Sequence, residues 1–170
     1  MTDQHDAATP GDQLIANGAD DMPAAGLISQ YVKDLSFENP NAPAVYQQQQ
    51  QPEISVQFDI ASAQVGDEVH EVVLKIEVRA EGEGTVAFLV ELAYAGLFGI
   101  RNVPGDQMQA FLLGEAPRLM FPFARRVVAD TIRDGGFPPL MLEPIDFGQL
   151  YLQQAAQQGQ GPFAGEMGQA

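Results

Sequence analysis

The chain has 170 residues, a length suited to one domain, and carries 8 Lys and Arg against 23 Asp and Glu for a formal charge of −15. That balance argues against a nucleic-acid binder, which needs a basic surface, and against attraction to an anionic membrane. The absence of Cys excludes disulfide scaffolds, thiolate metal sites, iron–sulfur clusters and thiol nucleophiles, while 45% hydrophobic residues suffice for a core.

Residues 1–26 hold five Asp, no Lys or Arg, and several Gly, Ala and Pro. Such a segment buries too little apolar area to offset its ordering entropy, and reads as a disordered acidic tail. It has no secretory pattern. Residues 157–170, rich in Gln and Gly, read as a second tail, which leaves a folded unit over 27–156. The longest nearly apolar stretch, 86–100, is interrupted by Glu91 and is shorter than the ~20 residues a membrane helix needs. A soluble protein that stays in the cytoplasm is expected.

The folded unit opens with strand patterns. Over 27–38, Leu35 and Phe37 point one way while Asp34, Ser36 and Glu38 point the other. Asn39-Pro40-Asn41-Ala42-Pro43 ends the strand, because proline lacks a ladder donor. Ile54, Val56, Phe58 and Ile60 alternate strictly, and Val72, Leu74, Ile76 and Val78 line one face of the next strand. Glu81-Gly82-Glu83-Gly84 is a tight connection. After it, Val86, Phe88, Val90, Leu92 and Tyr94 share one face, with Leu89 and Glu91 on the other. Short links between amphipathic strands argue for an antiparallel sheet.

The period then changes. Met108, Phe111 and Leu112 have helical spacing, with Asp106 as N-cap. Pro117 fits the first turn of a second helical piece, in which Leu119, Phe123, Val127 and Thr131 form one line and Gly135-Gly136 the stop. Phe137-Pro138-Pro139 forces an extended turn, and Asp146 caps a last helix whose Phe147, Leu150 and Tyr151 share a face. Four strands followed by helices predict an α+β fold: a four-stranded antiparallel sheet with helices packed on one side.

Catalytic patterns are weak. Gly82-x-Gly84-x-x-Ala87 precedes a strand, not the helix a dinucleotide site requires. No Gly-Lys dipeptide exists, and His70 is the only His outside the first tail, so no His pair can ligate a metal. The four Ser lack a nucleophile-elbow context. These observations point away from an enzyme, and no cofactor is indicated. Two other features stand out. Asp34 and Glu38 project together from one strand, and Leu89 and Glu91 from another; these are either solvated faces or an acidic docking patch for a basic partner. Phe37, Tyr46, Phe121, Phe123, Phe137, Phe147 and Tyr151 gather around Pro-rich turns, either as core or as the lining of an apolar groove.

Four stretches resemble the bacterial SecB protein-export chaperone family. They are Lys33-Asp34-Leu35-Ser36-Phe37-Glu38-Asn39-Pro40-Asn41-Ala42-Pro43, then Phe88-Leu89-Val90-Glu91-Leu92 through Gly96-Leu97-Phe98, then Phe121-Pro122-Phe123-Ala124-Arg125, and Arg133-Asp134-Gly135-Gly136-Phe137-Pro138-Pro139-Leu140 on to Pro144-Ile145-Asp146-Phe147. They fall in family order over about 28–151. The resemblance implies a cytoplasmic, ATP-independent holdase that keeps precursor proteins unfolded and delivers them to the SecA motor. It also implies a tetramer built as a dimer of dimers. Aligned motif to motif, the motor-docking surface falls on Asp34, Glu38, Leu89 and Glu91, and the client groove on Phe37, Phe137, Phe147, Leu150 and Tyr151. Subunit contacts fall near Val90, Leu92 and Tyr94. Where many members have a Trp before the Gln-Pro matched by Gln51-Pro52, this chain has Gln50. Two other classes remain to be weighed: an acidic scaffold for one folded partner, and a carrier of small apolar ligands.

Overall fold

The structure is a computed structural model and describes residues 21–159. Four long strands, β1 (Ala24–Glu38), β2 (Glu53–Gly66), β3 (Val69–Gly82) and β4 (Thr85–Arg101), form one antiparallel sheet in the order β1-β4-β3-β2. A single 3-10 turn, Ala44–Gln47, lies in the connection from β1 to β2. Helices follow as α1 (Gly105–Ala110), a π-helical turn (Phe111–Glu115), α2 (Ala116–Asp134) and, after an extended connection, α3 (Phe147–Gln158). This is the expected α+β arrangement. The strand begins at Ala24 and the last helix ends at Gln158, so the fold reaches slightly past both expected boundaries. The rest of both expected tails lies outside the described residues.

The alternation in the sequence becomes a two-faced sheet. In β3 and β4 the even-numbered residues Val72, Leu74, Ile76, Val78, Phe88, Val90, Leu92 and Phe98 are buried, and they meet Leu112, Met120, Ala124, Val128 and Ile132 of the helical layer. The β3–β4 hairpin closes at Glu83 and Gly84, both in the left-handed region (φ 54° and 75°), the combination that a two-residue turn matching strand twist requires. The Arg125 guanidinium lies over the Phe121 ring at 5.7 Å and donates to the Leu142 carbonyl at 3.2 Å, holding the connection between α2 and α3 against the helix.

Three expectations need correction. Asp106 is not an N-cap: α1 starts at Gly105 behind Pro104, and no side chain caps it. The buried line of α2 is Met120, Ala124, Val128 and Ile132, one residue on from the line expected, so Leu119 (37% exposed) and Phe123 (48%) face outward. The helix carries two adjacent apolar stripes, and the sheet takes the one with the small Ala124 at its centre, which lets the backbones approach. Finally, Val90, Leu92 and Tyr94, expected near subunit contacts, are 0%, 2% and 6% exposed within this single chain. They belong to its own core, because they sit on the helix-covered face.

Candidate functional site

Two surfaces carry the residues singled out above. The first is the open sheet face, opposite the helices. Its rows follow from the register: Glu38 pairs with Leu89, Ser36 with Glu91 and Asp34 with Ala93 across β1 and β4. Side chains directly opposite in a ladder point to the same side, so Asp34, Glu38, Leu89 and Glu91 form one patch. A β-bulge between Val32 and Asp34 restores this alignment. The three carboxylates are exposed and Leu89 is half-buried among them. Rows continue onto β3, where Glu77 pairs with Glu91, Arg79 with Leu89 and Lys75 with Ala93.

Two nearby cations, Arg79 and Lys33, are paired within the chain, while Lys75 stands exposed in the same rows. Arg79 Nε and Nη2 donate to Glu81 Oε1 at 3.0 and 2.6 Å. Lys33 Nζ donates to Glu71 Oε1 at 2.6 Å, and the Tyr31 hydroxyl donates to the other Glu71 oxygen. Those two donors, Lys33 first, hold the Glu71 carboxyl below the usual carboxylate range; the same bond raises the Tyr31 hydroxyl above its ordinary value. With those two cations paired, Asp34, Glu38 and Glu91 outnumber the exposed Lys75 beside them.

The second surface is a groove at the hairpin end of the sheet. A cavity of about 410 Å³ opens between the connection after β1 and the one after α2. Val45, Tyr46, Pro52 and Ile54 line one side, and Phe137, Pro138, Pro139 and Leu140 the other, with Ala87 and Phe88 beneath. Gln48 to Gln51 form a polar rim. The Phe137 ring lies 5.4 Å from Tyr46 and 4.8 Å from Phe88, and Phe37 stacks behind Phe88 at 6.3 Å. Gly135 is required here, since a Cβ would overlap the Phe37 ring. Among the expected groove residues, then, Phe137 lines the cavity and Phe37 supports its floor.

The α3 residues do not join them. Phe147 is fully buried, 5.6 Å from the Phe121 ring and 6.4 Å from Phe58, and is the core anchor of α3. Asp146 caps that helix as expected, accepting from Gln149 N at 3.0 Å. Leu150 is exposed and Tyr151 half-buried on the helix surface, away from the cavity lining. What the sequence reading missed is the wall built by Val45, Pro52, Ile54 and Leu140. The signal available was the Pro-bounded Ala-Val-Tyr, whose Val45 is buried by the 3-10 turn.

Similarity to known proteins agrees with this geometry. A family model described as "Preprotein translocase subunit SecB" matches residues 18–158. A protein-export protein SecB of Sphingopyxis alaskensis is 59% identical over 98% of this chain and 96% of its own length. Another, from Rhizorhabdus wittichii, is 64% identical over 85% of this chain and 87% of its own length. Among solved structures, a SecB-like chaperone of Mycobacterium tuberculosis, in complex with a ChAD peptide from the HigA1 antitoxin, matches with a TM-score of 0.61 at 16% identity. It covers 71% of this chain and 90% of that one, a likeness of fold. With the sheet, the helical layer and the motifs all in agreement, this chain belongs to the SecB family of protein-export chaperones.

Proposed function

We propose that the chain is an ATP-independent holdase that grips unfolded precursor segments in the groove between residues 45–52 and 136–140 and hands them to SecA through the acidic sheet face. The observation that carries this reading is the aromatic cavity with its glutamine rim. An unfolded chain exposes apolar side chains beside unpaired backbone groups. Rings of Phe88 and Phe137 take the first, and amide side chains of Gln48–Gln51, each both donor and acceptor, satisfy the second. Such chemistry selects for apolar character and extension, with little dependence on exact sequence.

For the motor, the open face offers exposed carboxylates around the half-buried Leu89. Charge gives long-range attraction to a basic surface and Leu89 an apolar contact that salt does not screen. For assembly into a tetramer, the exposed apolar residues Val32 and Leu35 of β1 and Leu119 and Phe123 of α2 supply a surface on the helix-bearing side. Several weak grooves in one assembly hold one client multivalently, which raises affinity without nucleotide hydrolysis. The test is aggregation of a reduced, unfolded protein in the absence of nucleotide. Suppression at stoichiometric amounts supports the holdase. A protein that ignores unfolded chains and binds one folded partner, or one small apolar molecule, fits the scaffold or carrier reading instead.

A further inference from the structure

The two walls of the groove are joined at one end by three polar groups. The Tyr46 hydroxyl donates to the Gly135 carbonyl at 2.7 Å. The Asn39 side-chain amide donates to Tyr46 Oη at 2.7 Å and to the same Gly135 carbonyl at 3.2 Å. Gly135 caps the C-terminus of α2, where carbonyls lack helical partners and accept external donors. The Asn39 amide reaches both acceptors and the Tyr46 hydroxyl both donates and accepts, so the three groups close a triangle.

We propose that Asn39, Tyr46 and the Gly135 carbonyl act as a clasp that fixes the width of the client groove, and so the rate at which a bound chain leaves it. This deepens the groove reading and rests on it. One wall, residues 45–52, follows the β1 exit. It is fastened to the sheet where Asn41 Nδ2 donates to the Val86 carbonyl at 2.8 Å, and to the α2 terminus by the clasp. The opposite wall begins one residue after Gly135, at Gly136, whose φ of 86° turns the chain so that Phe137 faces Tyr46. A Cβ at Gly136 would lie 3.1 Å from the Tyr46 ring, tighter than an ordinary contact, so a glycine here suits the close approach of the two walls. Opening it frees Tyr46 to swing away from Phe137 and widens the slot in which an apolar side chain is gripped. Asn39 and Tyr46 are positioning residues: Tyr46 lines the cavity, and Asn39 acts through it.

The test uses the full chain and reduced, carboxymethylated α-lactalbumin as the unfolded probe, with association and dissociation rates measured separately. Tyr46→Phe keeps the ring and removes the hydroxyl; Asn39→Ala removes the second donor. Each should raise the dissociation rate by about three- to tenfold, the range one net hydrogen bond supports, with the association rate unchanged and the urea midpoint lowered only slightly. The double variant should match the larger single effect, because both act on one clasp. Leu140→Asp places a charge in the wall itself and should weaken binding in any case. If Leu140→Asp leaves binding unchanged, the groove reading fails and the clasp with it. If Leu140→Asp weakens binding but Tyr46→Phe and Asn39→Ala release the probe at the wild-type rate, the clasp alone is refuted. Additive effects in the double variant, or losses that track a fall in urea midpoint, refute it as well, since they assign the two residues to separate contacts or to the fold.

Discussion

Truncating Phe147 to alanine separates a core residue from a groove residue. The ring is fully buried between Phe58 and Phe121, with centroid distances of 6.4 and 5.6 Å in edge-on geometry. Phe→Ala at such a site removes the transfer energy of the ring and leaves a cavity, a loss of about 3–5 kcal/mol. At roughly 3 °C per kcal/mol for a domain of this size, the thermal midpoint should fall by about 9–15 °C. That is a large share of the 5–15 kcal/mol typical of a folded domain. The cavity lined by Tyr46, Phe88 and Phe137 is built by other residues, so variant molecules that remain folded should bind client nearly as wild type does. Urea unfolding followed by circular dichroism gives the stability, and client titration at low temperature gives the affinity, both at one protomer concentration so that any contribution of assembly is held constant. A midpoint change corresponding to under about 1 kcal/mol, together with a marked loss of client affinity, would refute the assignment of Phe147 to the core.

Other expectations follow from the same residues. The triple variant Asp34→Asn/Glu38→Gln/Glu91→Lys should bind SecA more weakly by calorimetry and lose most of its salt dependence, while its thermal midpoint stays close to wild type, since the three carboxylates are exposed; equal affinity at both low and high salt would remove the patch from docking. Leu35→Asp and Phe123→Asp place charge on the exposed apolar surface and should lower the mass seen by light scattering with little effect on the isolated fold, whereas Leu92→Asp buries an unpaired charge and should unfold the chain. Glu71→Gln tests the Lys33–Glu71–Tyr31 tie. Because the folded carboxyl titrates below its usual value, its contribution is present above the unfolded pKa of about 4.3 and is lost as pH falls through the lower folded value. Wild type should therefore exceed the variant in thermal midpoint at pH 7, and the gap should narrow progressively as pH falls below about 4.3; a gap of constant size through that fall contradicts the tie.

Much of this was legible in the residues because strand alternation has a period of two and cannot shift without turning every side chain over. Leu35 and Phe37 on the helix-bearing side with Asp34, Ser36 and Glu38 on the open side is what the register gives, and the alternation alone groups them in the same way. The helix was less decisive. On α2, Leu119, Phe123 and Val127 lie one position from Met120, Ala124 and Val128, and a rotation of about 100° per residue exchanges the two stripes. Only the approach of the sheet chooses between them. The same cause misplaced Val90, Leu92 and Tyr94: an apolar strand face predicts burial, but not whether the cover is the chain's own helix or a neighbour. The groove was half legible. Phe137 stood out beside its prolines, whereas the facing wall is made by Gln48–Gln51 and a short 3-10 turn, which carry no periodic signal. Phe147 shows the converse. Phe147, Leu150 and Tyr151 have the spacing of one helix face, but the first residue of α3 enters the core and the other two stay at its surface.

The central claim is that an unfolded chain sits between the two walls of the aromatic groove. Amide hydrogen exchange of the chaperone with and without an unfolded, reduced client addresses it directly. Added protection should concentrate at Val45, Tyr46 and Gln48–Gln51 on one wall and at Gly136, Phe137 and Leu140 on the other, with the acidic face of β1 and β4 unchanged. Protection centred on the surface of α3, or none at either wall while the client remains bound, would contradict it.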